Sequence, residues 1–383
     1  MHYKPAIVIV AYNRQNTLER LFSYINQANY PDEDITLIIS IDYCETNWDV
    51  VASAEKFQWN HGTKIIKTHT ENMGLKAHIL ECGDYALEYG AVIVLEDDLV
   101  VAPAFYKYIQ DAQNFYYDDD NIAGVSSYAY EWNGYAHKKF TPLRKDGGVY
   151  FGQFACSLGQ SWTDKQWKSF RKWYKENPEL LHDGKMPERI YKWTHSWSKH
   201  YTAYIVETNR YFVIPYEATA SVFGEVGAHA KERYLEHQVS FYLGNEKFEM
   251  IEFKQGVHYD VFFENIDLKQ MIKQKFDIDD VCIDIYAHRK IENIKSRHLL
   301  STRKLNKKII ASYALDMRPQ EMNVIFDVRG HDIFLYDMNV NVKNAFYKKK
   351  NRIMYDLAGI RPRVALFYGI CYGFEEQINA RRK

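Results

Sequence analysis

Residues 92–99 read VIVLEDDL, an apolar run that stops abruptly at three consecutive acids, Glu96, Asp97 and Asp98. A short continuous run of Val, Ile and Leu is typical of a strand buried on both faces of a parallel sheet. Three neighbouring carboxylates repel one another, and a hard divalent cation at the end of the strand would hold them together. The alternative is a solvated acidic turn, and the flanking sequence decides between the two.

The acidic strand is the last of four predicted strands in the first hundred residues. Apolar runs at 6–11, 35–41 and 64–67 precede it, and apolar residues recur at helical spacing after the first of them. Strands that alternate with helices predict an α/β fold, in which a mostly parallel sheet is flanked by helices and ligands bind outside the carboxyl ends of the strands. Polar residues are therefore expected together at that edge: Arg14, Asp42, Lys76 and Asp98.

The chemistry of this predicted edge suits a nucleotide, with cations for phosphates and carboxylates for ribose hydroxyls and a metal. Neither G-x-x-x-x-G-K-[ST] nor G-x-G-x-x-G follows the first strand, so a P-loop and a Rossmann phosphate cradle are excluded. A divalent ion, Mn²⁺ or Mg²⁺, would then neutralise the diphosphate of a nucleotide sugar and stabilise it as a leaving group.

The sequence resembles the glycosyltransferases of GT-A fold, in particular family-2-like bacterial enzymes and, more distantly, the N-acetylglucosaminyltransferase I family. The similarity rests on four segments: AIVIVAYNR at 6–14, SID at 40–42, NMGL at 72–75 and VLEDDLVVAP at 94–103, which is similar to the D-x-D motif of that family. The resemblance implies a GT-A (Rossmann-like) sheet and a metal-dependent transfer of a sugar from a UDP-sugar. The implied acceptor is a saccharide or a lipid-linked saccharide in bacterial surface-polysaccharide synthesis.

The resemblance also implies roles for individual residues. Asp98 would be the direct metal ligand and Asp97 would face the ribose. Glu96 would be a catalytic-site residue that faces either the donor sugar or the residues that contact the ligand. His229 would be a further metal ligand, in a loop whose glycines allow close approach to the ligand and whose imidazole suits a Mn²⁺-like ion. The remaining donor-binding residues would be Arg14, Asp42, Asn72 and Lys76.

Two tryptophans are candidates for the acceptor site. Trp162 and Trp167 stand where related enzymes have a Gly- and Trp-rich acceptor loop, and aromatic faces bind the C–H surfaces of sugars. The alternative is that both rings belong to the core.

The catalytic base departs from the pattern of the family. Inverting relatives carry a segment like [ST]-W-D-x-x-W, whereas residues 196–201 read SWSKHY, with Ser198 at the aspartate position. Because a serine hydroxyl is not basic near neutral pH, another group acts as base, the enzyme retains the anomeric configuration, or transfer activity has been lost. The candidates for the base are His200 first, and then His195, Asp164 and Glu188.

Composition limits the functional classes. The chain has 383 residues, of which 46% are hydrophobic and 26% charged, and this predicts a catalytic domain at 1–250 and a C-terminal extension at 251–383. A net charge of −1 and the absence of a basic stripe in the first 250 residues argue against nucleic acid as a partner. Five widely spaced cysteines without C-x-x-C fit a reducing cytoplasm, and no apolar run reaches the length of a transmembrane helix.

The C-terminal extension is predicted to be α+β. Strands are expected at 281–286, 309–315, 322–326 and 332–336. Basic clusters at 348–352, 361–363 and 381–383 surround the apolar run 364–370. This arrangement predicts peripheral contact with an anionic bilayer at the inner membrane face, the alternative being a packed helix with a solvated end.

Two other functions fit the same pattern. A non-catalytic GT-A relative would bind nucleotide or sugar without turnover, and a metal-dependent nucleotidyltransferase would cleave between phosphates. A glycosyltransferase releases nucleoside diphosphate, a nucleotidyltransferase releases pyrophosphate, and a binding protein releases neither.

Overall fold

The chain divides into two compact units. The computed structural model describes residues 3–31, 34–225, 235–244, 248–346, 355–356 and 370. The first unit comprises residues 1–135, 140–267 and 288–293, and the second comprises 136–139, 268–287 and 294–383. The division into 1–250 and 251–383 stays a prediction.

Helices and strands alternate in the first part of the chain, and short strands dominate the last. The helices of the described residues are α1 (Gln15–Gln27), α2 (Trp48–Lys56), α3 (Gly74–Asp84), α4 (Ala86–Tyr89), α5 (Phe105–Phe115), α6 (Asp164–Glu176), α7 (Glu188–Tyr191), α8 (Trp197–Glu207), α9 (Asp267–Phe276) and α10 (Met322–Ile325). The strands are β1 (Ala6–Ala11), β2 (Leu37–Ile41), β3 (Lys64–Thr68), β4 (Ala91–Glu96), β5 (Leu99–Val101), β6 (Ile122–Ser126), β7 (Trp132–Asn133), β8 (Lys138–Lys139), β9 (Val149–Gly152), β10 (Gln160–Thr163), β11 (Tyr211–Pro215), β12 (Ala220–Val222), β13 (His258–Tyr259), β14 (Val281–Asp284), β15 (His298–Ser301), β16 (Lys307–Tyr313) and β17 (Ile333–Asn341).

A nine-stranded sheet forms the centre of the first unit, in the order β3-β2-β1-β4-β10-β6-β11-β9-β13. Strands β3, β2, β1 and β4 are parallel, as are β6 with β11 and β9 with β13, whereas β10 is antiparallel to both its neighbours. Helices α1, α2 and α5 bury their apolar faces in the core against these strands. The predicted α/β fold, with a large, mostly parallel sheet flanked by helices, is confirmed.

The parallel strands bring their carboxyl ends to one edge. Ile9 of β1 lies opposite Ile39 of β2 and Leu95 of β4, so the three strands end side by side. A separate two-stranded sheet joins this edge, because β12 is antiparallel to β5 and Val222 lies opposite Leu99. The chain that leaves β12 therefore runs beside the acids that precede β5.

The second unit contains a four-stranded sheet in the order β14-β15-β17-β16. Strands β14 and β15 are parallel and the other pairings are antiparallel. Leu268 and Ile272 of α9 pack with apolar residues of these strands.

The predicted strand at 322–326 is wrong, since these residues form α10 and its C-terminal end. The side chain of Asn323 accepts hydrogen bonds from the backbone N–H groups of Asp316 and Met317, both at 2.8 Å. It also donates to the carbonyl oxygens of Met317 and Gln320. These bonds stabilise a compact turn whose backbone conformation is incompatible with an extended strand.

Of the tail predicted to contact a membrane, at 348–352, 361–370 and 381–383, all residues but Ile370 lie outside the described residues. Among the residues that are described, no helix has both the length and the apolar character needed to cross a bilayer.

Candidate functional site

The carboxyl ends of β1, β2 and β4 line one cavity of about 480 Å³ in the first unit. The structure brings together at this cavity eight of the residues predicted from the sequence: Arg14, Asp42, Asn72, Lys76, Glu96, Asp97, Asp98 and His195. Sequence reasoning missed three further lining residues: Tyr12, His78 and Glu225.

Arg14 neutralises two of the three acids. It stands at the N-terminal boundary of α1, and its Nη1 donates to Asp98 Oδ2 at 3.0 Å while its Nη2 donates to Asp97 Oδ1. The side chain of Asp97 is 4% exposed and that of Asp98 is 20% exposed. A solvated acidic turn is thereby excluded, since the acids form a largely buried cluster with one guanidinium.

Burial and mutual repulsion dominate the electrostatics of the cluster. Burial raises the pKa of Glu96 to about 8, with Asp98 and Asp97 adding to the rise and Arg14 opposing it. Burial also raises the pKa of Asp97 to about 6, against the lowering effect of Arg14. Burial by itself would lower the pKa of Arg14, but the two carboxylates outweigh this effect and raise it. The cluster therefore favours an additional cation.

Asp98 is suited to a hard divalent ion that arrives with phosphates. Such ions take one or two protein carboxylates and complete their shell with water and phosphate oxygens. Asp98 lines the cavity, and its hydrogen bond with Arg14 uses Oδ2, so that among the described residues Oδ1 has no hydrogen-bond partner. The residues present thus fit a metal bound together with a diphosphate. The other predicted ligand, His229, lies outside the described residues.

Asp42 anchors the loop that precedes α3. Its Oδ1 accepts hydrogen bonds from the backbone N–H groups of Tyr43 at 2.8 Å and Met73 at 2.9 Å, and its Oδ2 accepts one from Gly74 at 3.1 Å. Gly74 begins α3 with a φ of +75°, a left-handed conformation that glycine adopts readily. Asp42 is 4% exposed, so its carboxylate mainly positions the loop, and a contact with the nucleotide stays a prediction.

The anchored loop brings the amide of Asn72 to the cavity, and the first turn of α3 brings the ammonium of Lys76. Nδ2 of Asn72 donates to the carbonyl oxygen of Tyr43 at 3.0 Å. The ammonium of Lys76 lies 5.4 Å from the centre of the Tyr174 ring, and no carboxylate of the described residues forms an ion pair with it. Lys76 is therefore placed to meet an anionic ligand.

Tyr12 is a lining residue that follows β1 directly. The residue is 37% exposed. The buried side chain of Asn47 donates from Nδ2 to the carbonyl oxygens of Tyr12 and Asp42, at 3.0 and 2.8 Å, and so joins the ends of β1 and β2. The signal in the sequence was the aromatic residue at a strand end, which offers a flat face to a ligand.

Glu225 reaches the cavity through the pairing of β12 with β5. The guanidinium of Arg20, on α1, donates to both of its carboxylate oxygens, at 2.9 and 2.6 Å. The same guanidinium lies 3.9 Å from the centre of the Phe223 ring. No short motif links Arg20 with Glu225, so sequence spacing could not reveal this pair.

Of the four candidates for the base, His195 alone is among the described residues that line the cavity, and it is exposed. His200 is 7% exposed, its Nε2 is 3.2 Å from the carbonyl oxygen of Pro178, and burial lowers its pKa. Asp164 and Glu188 lie on α6 and α7, away from the cavity lining. The cavity therefore favours His195 over the first choice, His200, because the side chain of His200 is buried and does not line the cavity; the identity of the base stays a prediction.

The prediction that Trp162 and Trp167 bind the acceptor is also corrected. Both side chains are fully buried, and their ring centres are 4.6 Å apart. Nε1 of Trp167 donates to Asp84 Oδ1 at 2.7 Å, and the ring occupies the space that a Cβ on Gly83 would need. Both rings therefore belong to the core between α3, α6 and β10.

Comparison with known proteins adds a family similarity over part of the chain. A sequence model of the GNT-I family matches residues 78–178, which include the acidic strand. Among solved structures, mannosyltransferase PcManGT from Pyrobaculum calidifontis, in complex with GDP-Man and Mn²⁺, is 11% identical, with a TM-score of 0.33 over 55% of this chain and 57% of that one. TarS from S. aureus, in complex with UDP-GlcNAc, is 14% identical, with a TM-score of 0.40 over 60% of this chain and 61% of that one.

A third structure in the comparison has a different activity. It is a cytidylyltransferase from Leptospira borgpetersenii serovar Hardjo-bovis, 11% identical, with a TM-score of 0.29 over 54% of this chain and 73% of that one. The family match coincides with the strand that carries the cavity's acids. Over residues 78–178 the chain is thus similar to the GNT-I family, which confirms the resemblance inferred from its sequence.

Proposed function

We propose that this protein is a glycosyltransferase that takes a sugar from a nucleoside-diphosphate donor, UDP-linked, and transfers it to a saccharide or lipid-linked saccharide. One observation carries the proposal: cationic and acidic side chains from separate strand ends line one cavity of about 480 Å³. The similarity to the GNT-I family across the acidic strand supports it.

The donor would lie along the strand ends. Lys76 and Arg14 supply positive charge for the phosphates, and the exposed ring of Tyr12 offers a face to the base. Asp97 is proposed to face the ribose and Glu96 the donor sugar. Asp98 would hold a divalent ion, Mn²⁺ or Mg²⁺, which would supply positive charge for the departing nucleoside diphosphate.

We further propose His195 as the general base. The acceptor hydroxyl gives its proton to the imidazole as its oxygen bonds to the anomeric carbon of the donor. The bond from that carbon to the diphosphate breaks, the electron pair leaves with the nucleoside diphosphate, and the imidazolium later releases the proton to water. His195 lines the cavity, as this role requires.

The donor class is tested by calorimetric titration of UDP, GDP and CMP into the full chain, with and without MnCl₂. We expect Mn²⁺-dependent binding of one nucleotide, lost in Asp98→Ala and kept in Asp118→Ala, a change at an acid whose side chain is 77% exposed. Failure of every nucleotide to bind, or unchanged binding in Asp98→Ala, would refute the donor site.

A non-catalytic protein that binds nucleotide or sugar is the second candidate. The observation that favours it is Ser198, which has no basic group and whose Oγ lies 2.7 Å from that of Ser196. Incubation of the protein with the sugar conjugate of the preferred nucleotide distinguishes the candidates. Release of nucleoside diphosphate from this conjugate supports transfer. Release of pyrophosphate in a parallel incubation with the nucleoside triphosphate and a sugar 1-phosphate indicates nucleotidyl transfer, and release of neither product indicates binding alone.

The proposed setting is bacterial surface-polysaccharide synthesis in the cytoplasm, at the inner membrane face. Basic residues attract anionic lipids only at short range and are screened by salt. Sedimentation of the full chain with anionic vesicles at low salt, and its release at high salt, would support this setting. Equal sedimentation with neutral and anionic vesicles would contradict it.

A further inference from the structure

We infer that Arg14 competes with the divalent cation for Asp98 and yields that carboxylate when a diphosphate binds. Binding of the cation and of the donor is then mutually strengthened. The inference rests on the proposed function, in that it assumes a donor diphosphate in the cavity lined by Arg14 and Asp98.

The guanidinium of Arg14 divides its hydrogen bonds between two carboxylates. A guanidinium commonly forms two parallel bonds to one carboxylate. Here Nη1 bonds to Asp98 and Nη2 to Asp97, so one contact can break while the other stays. Asp97 is nearly fully buried, whereas Asp98 is 20% exposed at the side chain, and the bond to Asp98 is therefore the one open to exchange.

The backbone of Arg14 is fixed at the start of α1. Its carbonyl oxygen accepts hydrogen bonds from the N–H of Leu18 at 3.2 Å and from Oγ1 of Thr17 at 3.0 Å. These bonds tie Arg14 to the first turn of α1. An exchange of partners therefore requires only a side-chain rotation into the cavity, without a change in the helix.

Electrostatic interactions couple the binding of the cation to the binding of the diphosphate. A divalent cation that binds Asp98 alone meets the guanidinium as a like charge and must also break its bond to that carboxylate. A diphosphate reverses both effects, because its oxygens accept bonds from the guanidinium and neutralise the cation. By linkage, the diphosphate must strengthen cation binding by the same factor as the cation strengthens diphosphate binding.

The test measures the binding of Mn²⁺, not turnover. Free Mn²⁺ is followed by electron paramagnetic resonance as MnCl₂ is titrated into the full chain, with and without UDP. We expect UDP to raise the affinity of the wild-type protein for Mn²⁺ at least about tenfold. Arg14→Gln should bind Mn²⁺ alone at least about fivefold more tightly than the wild type, and UDP should then change its affinity by less than about threefold.

The matched control is Arg297→Gln, which removes an arginine of the other unit whose Nη2 bonds to Asp337 Oδ2 at 3.0 Å. It should behave as the wild type. If Arg14→Gln does not fold, Arg14→Lys is used instead, since it keeps the positive charge but lacks the two guanidinium nitrogens that bond to Asp97 and Asp98. We expect Arg14→Lys to bind Mn²⁺ alone more tightly than the wild type.

Two results would overturn the inference. One is an affinity for Mn²⁺ alone that is the same in the wild type and in both Arg14 variants. The other is a wild-type affinity for Mn²⁺ that UDP leaves unchanged although calorimetry shows that UDP binds. Failure of the proposed function differs from both, because a protein that binds no nucleotide can still gain affinity for Mn²⁺ alone when Arg14 is replaced.

Discussion

Replacement of Asp42 by Asn is expected to loosen the loop before α3. The carboxylate accepts three backbone N–H groups, and an amide can accept only through its oxygen. If that oxygen keeps the bonds from Tyr43 and Met73, the amide nitrogen faces the N–H of Gly74. One charge-assisted bond is lost, at roughly 1.5–3 kcal/mol, and two are reduced to neutral bonds.

The loss of charge beside the N-terminus of α3 adds about 0.3–1 kcal/mol. We therefore expect the free energy of local opening to fall by about 3 kcal/mol, which corresponds to about a hundredfold faster exchange of the protected amides. Hydrogen–deuterium exchange of the peptide that contains Met73 and Gly74 measures this directly. Asn72 lies in this loop and Lys76 in the first turn of α3 that follows it, so the affinity for nucleotide should fall as well.

Asp119→Asn is the control, since Asp119 accepts from the backbone N–H and the side chain of Asn121 in an exposed turn. It should leave exchange of the loop before α3 unchanged. An Asp42→Asn protein that folds and exchanges this loop less than threefold faster than the wild type would refute the anchoring role.

Three further predictions concern the histidines and one buried ring. We expect His195→Gln to lower the release of nucleoside diphosphate at least about a hundredfold with nucleotide affinity unchanged, and His200→Gln to lower it less than about threefold; the reverse order would contradict the choice of base. Burial lowers the pKa of His78 from 6.5 to about 4. The unfolded chain therefore binds a proton between these pH values while the folded chain does not, and the free energy of unfolding should fall by about 3 kcal/mol as the pH falls from 6.5 to 4. In His78→Gln, the free energy of unfolding measured with urea should no longer show this fall between pH 6.5 and 4. An unchanged fall in the variant would exclude His78 as the cause of the pH dependence. Trp167→Phe removes the hydrogen bond from Nε1 to Asp84 and should lower the free energy of unfolding by about 1–3 kcal/mol, with no change in the KM for the acceptor. A raised KM at unchanged stability would instead support a role for Trp167 in acceptor binding.

Much of the first unit could be predicted because its strands are continuous apolar runs. The predicted strand at 6–11 matches β1, and the predicted strand at 64–67 lies within β3. In a parallel sheet the residues that follow such strands must meet at one edge, so Asp42 and Asp98 could be expected together before any side chain was seen. The strand predicted at 322–326 failed because the side chain of Asn323 overrides local propensity.

The orientation of side chains on helices and loops could not be predicted in the same way. His195 and His200 lie five positions apart, and only packing decides that the first lines the cavity and the second is buried. From the sequence, Trp167 was a plausible residue for stacking on a sugar, but its ring packs against α3. Arg20 and Glu225 meet because β12 pairs with β5, a contact that depends on the whole fold.

The contact between Gly83 and the Trp167 ring links the evolution of two distant positions. A glycine inside a helix costs roughly 1 kcal/mol relative to alanine, so its presence in α3 calls for a reason. The reason is that the ring fills the space of the missing side chain. Among related sequences, alanine at position 83 should therefore occur only together with a smaller residue at position 167. A Gly83→Ala substitution made to stabilise α3 must likewise be combined with a smaller residue in place of Trp167.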